Sequence, residues 1–356
     1  MARLGVGKIQ LGILVLALIE CPLIQNVSSQ GYPQFGHPDR VKFFIWTRDN
    51  PGIEDLILPS NLDNDLSASH FKAGLPIKIL IHGFSDNGKT DWITNMRDTF
   101  LENGDCVVIS VDWSVWAGTN IFTYPSAAFH TKKAANVAKL LVDTMINHGA
   151  SFEDIHVIGF SLGAHVAGYL GQKVQGRLPR VTGLDPAAPL FTLTKNRINR
   201  QSARFVDIIH TAGEFTSLES PLGHADFYPN GGVHPQPGCE NDRSLDHKRS
   251  HFRAYKYYAE SIGQPTSFKS ISCHSWIDFE FEQCDERSVS YMGDYADPRV
   301  QGQFYLATNA EPPYSKNLSM SFSNQSHFLN AKTSPDNSPG SQFSWTFLFQ
   351  VFSWLD

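Results

Sequence analysis

Cysteine, positive charge and long apolar runs are all scarce in this sequence of 356 residues. Its five cysteines include no Cys-x-x-Cys pair, which argues against a common type of zinc site. Lysine and arginine total 29 against 35 aspartate and glutamate residues, and the net charge is −6. We therefore expect no phosphate-tracking surface and no nucleic-acid partner. Hydrophobic residues make up 41% of the chain, enough for the core of one α/β domain of roughly 250–300 residues or of two smaller ones.

The first 29 residues follow the pattern of a secretory signal peptide. A basic start precedes an apolar run from about residue 9 to residue 24, and the small residues 27–29 suit cleavage. Glu20 interrupts this run, which is shorter than the roughly 20 residues that a bilayer span requires, and this argues against a membrane anchor. We therefore expect a secreted, extracellular protein, in which the sequons at Asn317 and Asn324 can accept glycans.

The cysteines that follow residue 29 would then lie in an oxidising compartment, where disulfides form. There are four of them: Cys106, Cys239, Cys273 and Cys284. Three pairings are available if all four are bonded. Cys273 and Cys284 are close in sequence, and a bond between them would close one loop.

Apolar stretches with strand and helix spacing alternate along the chain. Strands are predicted at residues 41–47, 77–81, 107–113, 155–158, 180–184 and 204–211, and the first reads as an edge strand because its apolar residues alternate. Helical spacing from Ala134 to Met145 predicts a helix that ends near Gly149, and a second helix is predicted from Ala164 to Val174. This alternation predicts a mostly parallel sheet with right-handed crossovers.

No internal repeat or linker divides residues 30–316, so we predict a single domain. Residues 317–356 predict a mobile tail, rich in Ser, Asn and Pro up to residue 342. The aromatic end, Phe343 to Leu355, could pack on the domain, be a non-native end or insert into a lipid interface, where Trp and Phe suit the headgroup region.

The segment from Gly159 to Gly163 reads Gly-Phe-Ser-Leu-Gly and joins a predicted strand to a predicted helix. A serine on a strained turn of this kind projects its hydroxyl above the sheet edge, and the flanking glycines avoid Cβ clashes where the chain passes close to itself. The N–H of the next residue, Leu162, is then free to bind an oxyanion. A glycine-rich surface turn has no reason to follow a buried strand, so we predict that Ser161 is a nucleophile.

A serine nucleophile needs a base and a carboxylate that orients the base. Asp185 lies at the end of the strand that follows the nucleophile helix, in a loop with two prolines. His247 lies in a loop further along the chain. Ser161, Asp185 and His247 therefore follow the Ser, Asp, His order of α/β hydrolases.

Seven segments together resemble the pancreatic lipase family over about residues 36 to 316. In chain order they are His82-Gly-Phe, Val111-Asp-Trp113, Gly159-Phe-Ser-Leu-Gly-Ala-His165, Gly183-Leu-Asp-Pro-Ala-Ala-Pro189, Phe205-Val-Asp-Ile-Ile-His-Thr211, Gly223-His-Ala-Asp-Phe-Tyr-Pro-Asn-Gly-Gly232 and Gly302-Gln-Phe-Tyr-Leu306. The resemblance implies an α/β-hydrolase fold with a mostly parallel central sheet flanked by helices, in a single catalytic domain.

The resemblance also implies roles for individual residues. Ser161, Asp185 and His247 match the catalytic triad, and the backbone N–H groups of Phe84 and Leu162 match the oxyanion hole. Among the cysteines, Cys273 and Cys284 match a family disulfide. Cys106 and Cys239 have no family partner, and they either bond to each other or remain two separate thiols.

Two loops depart from the pattern of the larger triglyceride lipases. In those enzymes a long lid is closed by a cysteine two residues before the catalytic histidine; here that position is Leu245, and eight positions separate Cys239 from His247. The loop between Thr211 and Gly223 is also short. Both loops resemble those of the phospholipase A1 members of insect and venom type. The resemblance does not extend to the C-terminal β-sandwich that binds colipase in pancreatic enzymes, so we expect no colipase partner.

The family's calcium position is also altered. Its carboxylates align with Thr194, Asn199 and Ser202, and Arg197 and Arg200 nearby oppose a hard cation. We expect no metal and no cofactor.

Other residues could compete for the catalytic roles. Asp207 and Asp226 lie in strand-like stretches, but neither follows the strand after the nucleophile helix. His247 and His251, at i and i+4, could instead bind zinc, although no third ligand is evident.

His82, His165 and His210 lie in segments shared with the family, where a structural hydrogen-bonding role is expected. The predicted function is release of the sn-1 fatty acid from glycerophospholipids at membrane, micelle or lipoprotein surfaces. A triacylglycerol lipase, a galactolipase and a non-catalytic lipid-binding protein of yolk-protein type are the alternatives.

Overall fold

A computed structural model describes residues 38–213, 216–242 and 247–316 of the protein. Eleven strands lie in the described part of the chain: β1 (Lys42–Trp46), β2 (Asp55–Ile57), β3 (Ile77–Ile81), β4 (Val107–Asp112), β5 (Ile155–Phe160), β6 (Arg180–Leu184), β7 (Phe205–Ile209), β8 (Ala225–Pro229), β9 (Lys269–Ser272), β10 (Asp285–Tyr291) and β11 (Gly302–Leu306).

Eight α-helices occur in the same residues: α1 (Leu62–Ala68), α2 (Asp91–Asn103), α3 (Ser114–Ala117), α4 (Tyr124–Asn147), α5 (Leu162–Lys173), α6 (Lys248–His251), α7 (Arg253–Ser261) and α8 (Trp276–Glu280). Short 3₁₀ turns precede several of these elements, for example Ile121–Thr123 before α4.

All eleven strands form one sheet, in the order β10-β9-β11-β8-β7-β6-β5-β3-β4-β1-β2. The seven central strands, from β11 to β4, are parallel. Antiparallel pairs extend it at both ends, with β9 and β10 at one end and β1 and β2 at the other. The predicted mostly parallel sheet is confirmed. Its topology brings the carboxyl ends of β5, β6 and β7 to one edge, where active sites of such sheets lie.

Apolar cores cover both faces of the sheet. In β1, Phe43 and Ile45 belong to the core on one face, and Phe44 and Trp46 belong to the core on the other. The prediction of an edge strand over residues 41–47 was therefore wrong, because β2 pairs with the outer side of β1 and forms the edge. Burial on both faces leaves no polar face to β1.

The predicted bounds of the inner elements are close to the observed ones. β3 and β6 match their predicted residues, and α4 ends two residues before Gly149, whose φ of +94° suits glycine at a helix end. Helix α5 begins at Leu162, two residues earlier than predicted, because the strained turn at Ser161 leads directly into it.

Candidate active site

Ser161 occupies the turn between β5 and α5 with φ +56° and ψ −119°, a conformation that L-residues rarely adopt. The turn is held from outside: the Ser161 N–H donates to the Leu184 carbonyl at 3.0 Å, and the Ala187 N–H donates to the Ser161 carbonyl at 3.4 Å. These bonds tie the turn to the end of β6 and to the loop after it. The predicted strand–turn–helix setting of a nucleophilic serine is present.

The two glycines that flank the turn are required by close packing. A Cβ on Gly159 would lie 2.2 Å from the Gly163 carbonyl oxygen, and a Cβ on Gly163 would lie 2.2 Å from the Ile81 carbonyl oxygen. Both contacts are with backbone atoms, which cannot rotate away. The motif is therefore a steric requirement of this turn, as the sequence predicted.

The loop after β3 passes alongside the serine. A Cβ on Gly83 would lie 2.9 Å from the Ser161 Cβ, so the backbone at Gly83 lies against the Ser161 side chain. His82 fixes this loop: its Nε2 accepts from the Trp113 backbone N–H at 3.1 Å, and its carbonyl accepts from the Trp113 indole at 2.8 Å. Leu162 lies in the first turn of α5, where N–H groups have no intrahelical acceptor. This arrangement suits the predicted oxyanion donors, Phe84 and Leu162.

Asp185 is fully buried at the end of β6, one strand away from Ser161. Its Oδ1 accepts from the Thr211 N–H at 2.7 Å and from the Ala212 N–H at 3.2 Å. Its Oδ2 accepts from the Ser217 hydroxyl and from His251 Nδ1, each at 2.5 Å. Four donors thus compensate for the burial of this carboxylate.

His251, the last residue of α6, is the histidine that contacts Asp185. A carboxylate only accepts hydrogen bonds, so the proton lies on Nδ1 and the lone pair lies on Nε2. The ring packs against Phe160, the residue before Ser161, with a centroid distance of 4.5 Å. Ser161, Asp185 and His251 are therefore brought together at one edge of the sheet.

The expectation that His247 orients on Asp185 was wrong. His247 lies at the start of α6 in a left-handed conformation, and its ring stacks on His234 with a centroid distance of 3.9 Å. One helical turn separates it from His251, and only the later residue reaches Asp185. Chain order admits either histidine. A usable signal was that His251, Ala254 and Tyr258 stand at i, i+3 and i+7, the spacing of one helix face, and Ala254 and Tyr258 are buried.

The competing carboxylates serve other partners. Asp207 receives two bonds of 2.8 Å from the Arg180 guanidinium, at the opposite end of β6 from Asp185. Asp226 lies 2.9 Å from His210 Nε2, and His210 Nδ1 lies 2.7 Å from the Leu218 carbonyl oxygen. Both ring nitrogens of His210 are thus engaged by acceptors within the core, and Asp226 is engaged by His210.

His165 follows the predicted nucleophile turn and holds the loop beyond β6. Its Nε2 donates to the Ala187 carbonyl at 2.8 Å, its Nδ1 accepts from the Ile198 N–H at 3.5 Å, and its ring stacks on Phe191. Both nitrogens are engaged in the neutral form. Burial lowers the pKa of His165 to about 3, so the ring is uncharged at neutral pH. This agrees with the structural role predicted for it.

The structure confirms one predicted disulfide and decides between the two alternatives for the other two cysteines. Cys273 and Cys284 form a disulfide with a Cα–Cα distance of 4.9 Å. Cys106 and Cys239 are separate buried thiols, so the alternative of a mutual bond was wrong. Cys106 directly precedes β4, whereas Cys239 lies in the loop after β8, and these two strands are five places apart in the sheet order. Burial raises the pKa of Cys106 to about 11.

The residues at the family's calcium position do not suit a calcium ion. Asn199 Oδ1 accepts from the Gln201 N–H at 2.9 Å, and Ser202 Oγ accepts from the Asn199 N–H at 3.3 Å. These oxygens are thus used by the local turn. They carry no negative charge, and Arg197 donates to the Phe191 carbonyl close by. In the described ranges no group of three or more His, Cys, Asp or Glu side chains could hold a metal ion.

The loops that border the site are short. Counted to His251, the segment after Cys239 spans twelve positions, still well below a long lid. Leu245 lies among residues 243–246, outside the described residues. So do the predicted signal peptide, the sequons at Asn317 and Asn324 and the C-terminal tail. Within residues 38–213, 216–242 and 247–316, no helix has the length and apolar character needed to span a membrane.

Comparisons with known proteins point to one family. The family model described as "Lipase" matches residues 24–314. Lipase member H-A of Xenopus laevis is 34% identical over 271 residues, covering 72% of this chain and 57% of that protein. The pancreatic triacylglycerol lipase of Oryctolagus cuniculus is 35% identical over 299 residues, covering 75% of this chain and 63% of that protein.

The chain thus spans about three fifths of the length of these curated relatives. Among solved structures, an esterase, PE8, aligns with a TM-score of 0.29 and 21% identity, covering 39% of this chain and 69% of that chain.

Proposed function

Because the chain belongs to the lipase family, we propose that it is a secreted serine ester hydrolase that releases the sn-1 fatty acid from glycerophospholipids. The observation that carries this proposal is the 2.5 Å hydrogen bond between Asp185 and His251, with the His251 ring packed beside the Ser161 turn. This pair supplies the oriented base that a serine nucleophile needs.

In the proposed mechanism, His251 Nε2 removes the hydroxyl proton of Ser161 as the serine oxygen attacks the ester carbonyl. The N–H groups of Phe84 and Leu162 stabilise the oxyanion, and Asp185 stabilises the imidazolium. The tetrahedral intermediate then expels the lysophospholipid alkoxide, which takes the proton from His251. A water molecule, activated by His251 in the same way, hydrolyses the acyl-enzyme and releases the fatty acid.

Exposed apolar side chains beside the loop that carries Phe84 support a lipid surface as the source of the substrate. Phe122 is 74% exposed and Leu190 is 63% exposed. Their segments are joined by the Tyr124 hydroxyl, which donates to the Pro189 carbonyl at 3.2 Å, and the Tyr124 ring contacts Phe84. We call Phe122 and Leu190 the apolar rim. Large exposed apolar side chains next to a site are typical of interaction surfaces.

The preference for phospholipid over neutral glyceride rests on the two short loops. A long amphipathic lid covers an acyl groove in water and opens at an oil surface, whereas a short loop leaves the groove accessible to a polar head group. The alternative is a triacylglycerol lipase or a galactolipase with the same chemistry. That alternative is favoured by relatives whose names include pancreatic triacylglycerol lipase.

Secretion is part of the proposal. It is supported by the signal-peptide pattern of residues 1–29 and by the Cys273–Cys284 disulfide, a bond that forms in oxidising compartments.

The substrate class is tested by comparing phosphatidylcholine micelles with emulsified triolein across the solubility limit. We expect the phospholipid to be preferred, a 2-acyl lysophospholipid as product, and little rise in rate when the substrate begins to aggregate. Preference for triolein with a sharp rise at the emulsion threshold would contradict the phospholipid proposal and favour the triacylglycerol alternative, with Ser161 and His251 unchanged in role.

A further inference from the structure

Ser217 contacts both members of the Asp185–His251 pair, although no sequence motif singled it out. Its hydroxyl donates to Asp185 Oδ2 at 2.5 Å, and its oxygen lies 3.3 Å from His251 Nδ1. The residue is 2% exposed, so water does not compete for these contacts. The three atoms form a small triangle inside the protein.

The available protons determine the hydrogen bonds within this triangle. Asp185 Oδ2 can only accept, and it receives the single hydroxyl proton of Ser217 and the Nδ1 proton of His251. Oδ1 is held by two backbone N–H groups, those of Thr211 and Ala212. The carboxylate is thereby fixed in rotation, with Oδ2 as the oxygen that faces the imidazole. The lone pair of Ser217 Oγ also faces Nδ1, and this favours the tautomer that leaves Nε2 unprotonated.

The backbone around Ser217 is bonded to the loop that carries Asp185. The Ala188 N–H donates to the Thr216 carbonyl at 3.0 Å, and the Leu218 N–H donates to the Pro186 carbonyl at 2.8 Å. His210 Nδ1 donates to the Leu218 carbonyl at 2.7 Å from the other side. Residues on both sides of Ser217 are therefore anchored, and its hydroxyl is delivered to Asp185 by a fixed segment.

We propose that Ser217 is a positioning residue, a fourth member of the site that holds Asp185 and His251 in the geometry needed for proton transfer at Ser161. The inference rests on the proposed ester hydrolase function. It assigns a task to the short loop between Thr211 and Gly223: the loop supplies a side chain to the site in addition to bordering it. A purely structural serine would only compensate for the buried charge of Asp185.

The test compares Ser217→Ala, Ser217→Thr and Ser270→Ala on a soluble short-chain ester. Ser270 is the matched control, because it is fully buried in β9 and its hydroxyl donates to the Ser290 carbonyl at 2.8 Å, far from the site. We expect Ser217→Ala to lower kcat about 10-fold with KM within about 2-fold, the loss typical of one hydrogen bond to a charged group. Ser217→Thr keeps the hydroxyl and should recover most of kcat, and Ser270→Ala should retain the wild-type value.

A spectroscopic measurement separates positioning from stability. The short Asp185–His251 hydrogen bond should give a low-field proton resonance, which should move in Ser217→Ala and stay in place in Ser270→Ala. If Ser217→Ala does not fold, Ser217→Cys supplies a side chain of similar size with a weaker donor. The proposal then predicts a kcat between the wild-type and one-tenth of it, with the resonance displaced.

Three results would overturn the proposal: a folded Ser217→Ala with wild-type kcat and an unmoved resonance, a folded Ser217→Thr without recovery, or a Ser217→Cys variant indistinguishable from wild type. Failure of the proposed function is a separate result, because it would appear as turnover by Ser161→Ala. If Ser161→Ala is inactive while Ser217→Ala behaves as wild type, only the role of Ser217 is lost.

Discussion

At the scale of single residues, site residues with a distinctive local sequence could be predicted. Which of two nearby histidines contacts Asp185 could not. Ser161 is marked by its glycines, and Asp185 by its place at the end of the next strand. The histidine was not marked in this way, because His247 and His251 both satisfy the chain order. The choice depends on which face of α6 meets Asp185, and that is set by the docking of α6 and α7 on the sheet, a long-range contact.

Replacing each of the two histidines by alanine tests whether His251 is the base. His251→Ala should lower turnover on the order of 10³–10⁶-fold, because the base that takes the Ser161 proton is lost. His247→Ala removes a ring of similar size one helical turn away and should cost less than about 10-fold. Steady-state kinetics of both purified variants distinguishes the two histidines. A severe loss confined to His247→Ala would show that His247 is the base, as the sequence predicted.

At the scale of elements, the inner strands and the helices around Ser161 could be predicted because their patterns are local and strong. β1 was misjudged because its position depends on β2, a strand of three residues whose pairing involves no local signal. The loop beyond β6 illustrates a further limit. Its conformation depends on His165, whose partners lie 22 and 33 positions away in the sequence.

The buried His165 should make stability depend on pH. An exposed histidine in the unfolded chain takes up a proton near pH 6.5, whereas burial lowers the pKa of His165 in the folded protein to about 3. The stabilising contribution of the neutral ring is therefore complete above pH 6.5 and is lost as the pH falls towards 3. Each pH unit in this window should lower the free energy of unfolding by up to about 1.4 kcal/mol for this one site.

The measurement is the slope of unfolding free energy against pH, from denaturant titrations between pH 4 and pH 6. His165→Gln cannot titrate and should reduce the slope by about one proton relative to wild type. His274→Gln, the same substitution at an exposed position, is the matched control for the exchange itself. Equal slopes for wild type and His165→Gln would show that His165 does not make this contribution.

At the scale of the whole molecule, the candidate site and the apolar rim follow the carboxyl ends of parallel strands and lie at the same edge of the sheet. Under the proposed function, a lipid surface that contacts the rim would present its substrate to Ser161. The fold class was predictable from the alternation of elements and from the family resemblance. The rim was not, because Phe122 and Leu190 stand 68 positions apart and their segments are connected by the long-range hydrogen bond from Tyr124 to Pro189. The local sequence of either segment alone does not distinguish an exposed apolar side chain from a buried one.

The rim predicts a difference between aggregated and soluble substrates. Replacing Phe122 and Leu190 together by serine should lower activity on phosphatidylcholine vesicles by about 10-fold or more, since each large apolar side chain contributes roughly 1.5–3 kcal/mol when buried. Activity on a soluble short-chain ester should be unchanged. Phe281→Ser is the control, because Phe281 is 67% exposed but lies near β9 and β10 at the far end of the sheet. Equal loss on both substrates would mean that the rim supports the site and not the interface.

Under the proposed function the protein hydrolyses esters through an acyl-enzyme at Ser161, and covalent labelling shows whether Ser161 is the nucleophile. A phosphonate ester that mimics the tetrahedral intermediate should add once per molecule, and peptide mapping should place the adduct on Ser161. Ser161→Ala should take up no label and should lose turnover on the order of 10³–10⁶-fold. An adduct on a different residue, or wild-type turnover by Ser161→Ala, would show that Ser161 is not the nucleophile.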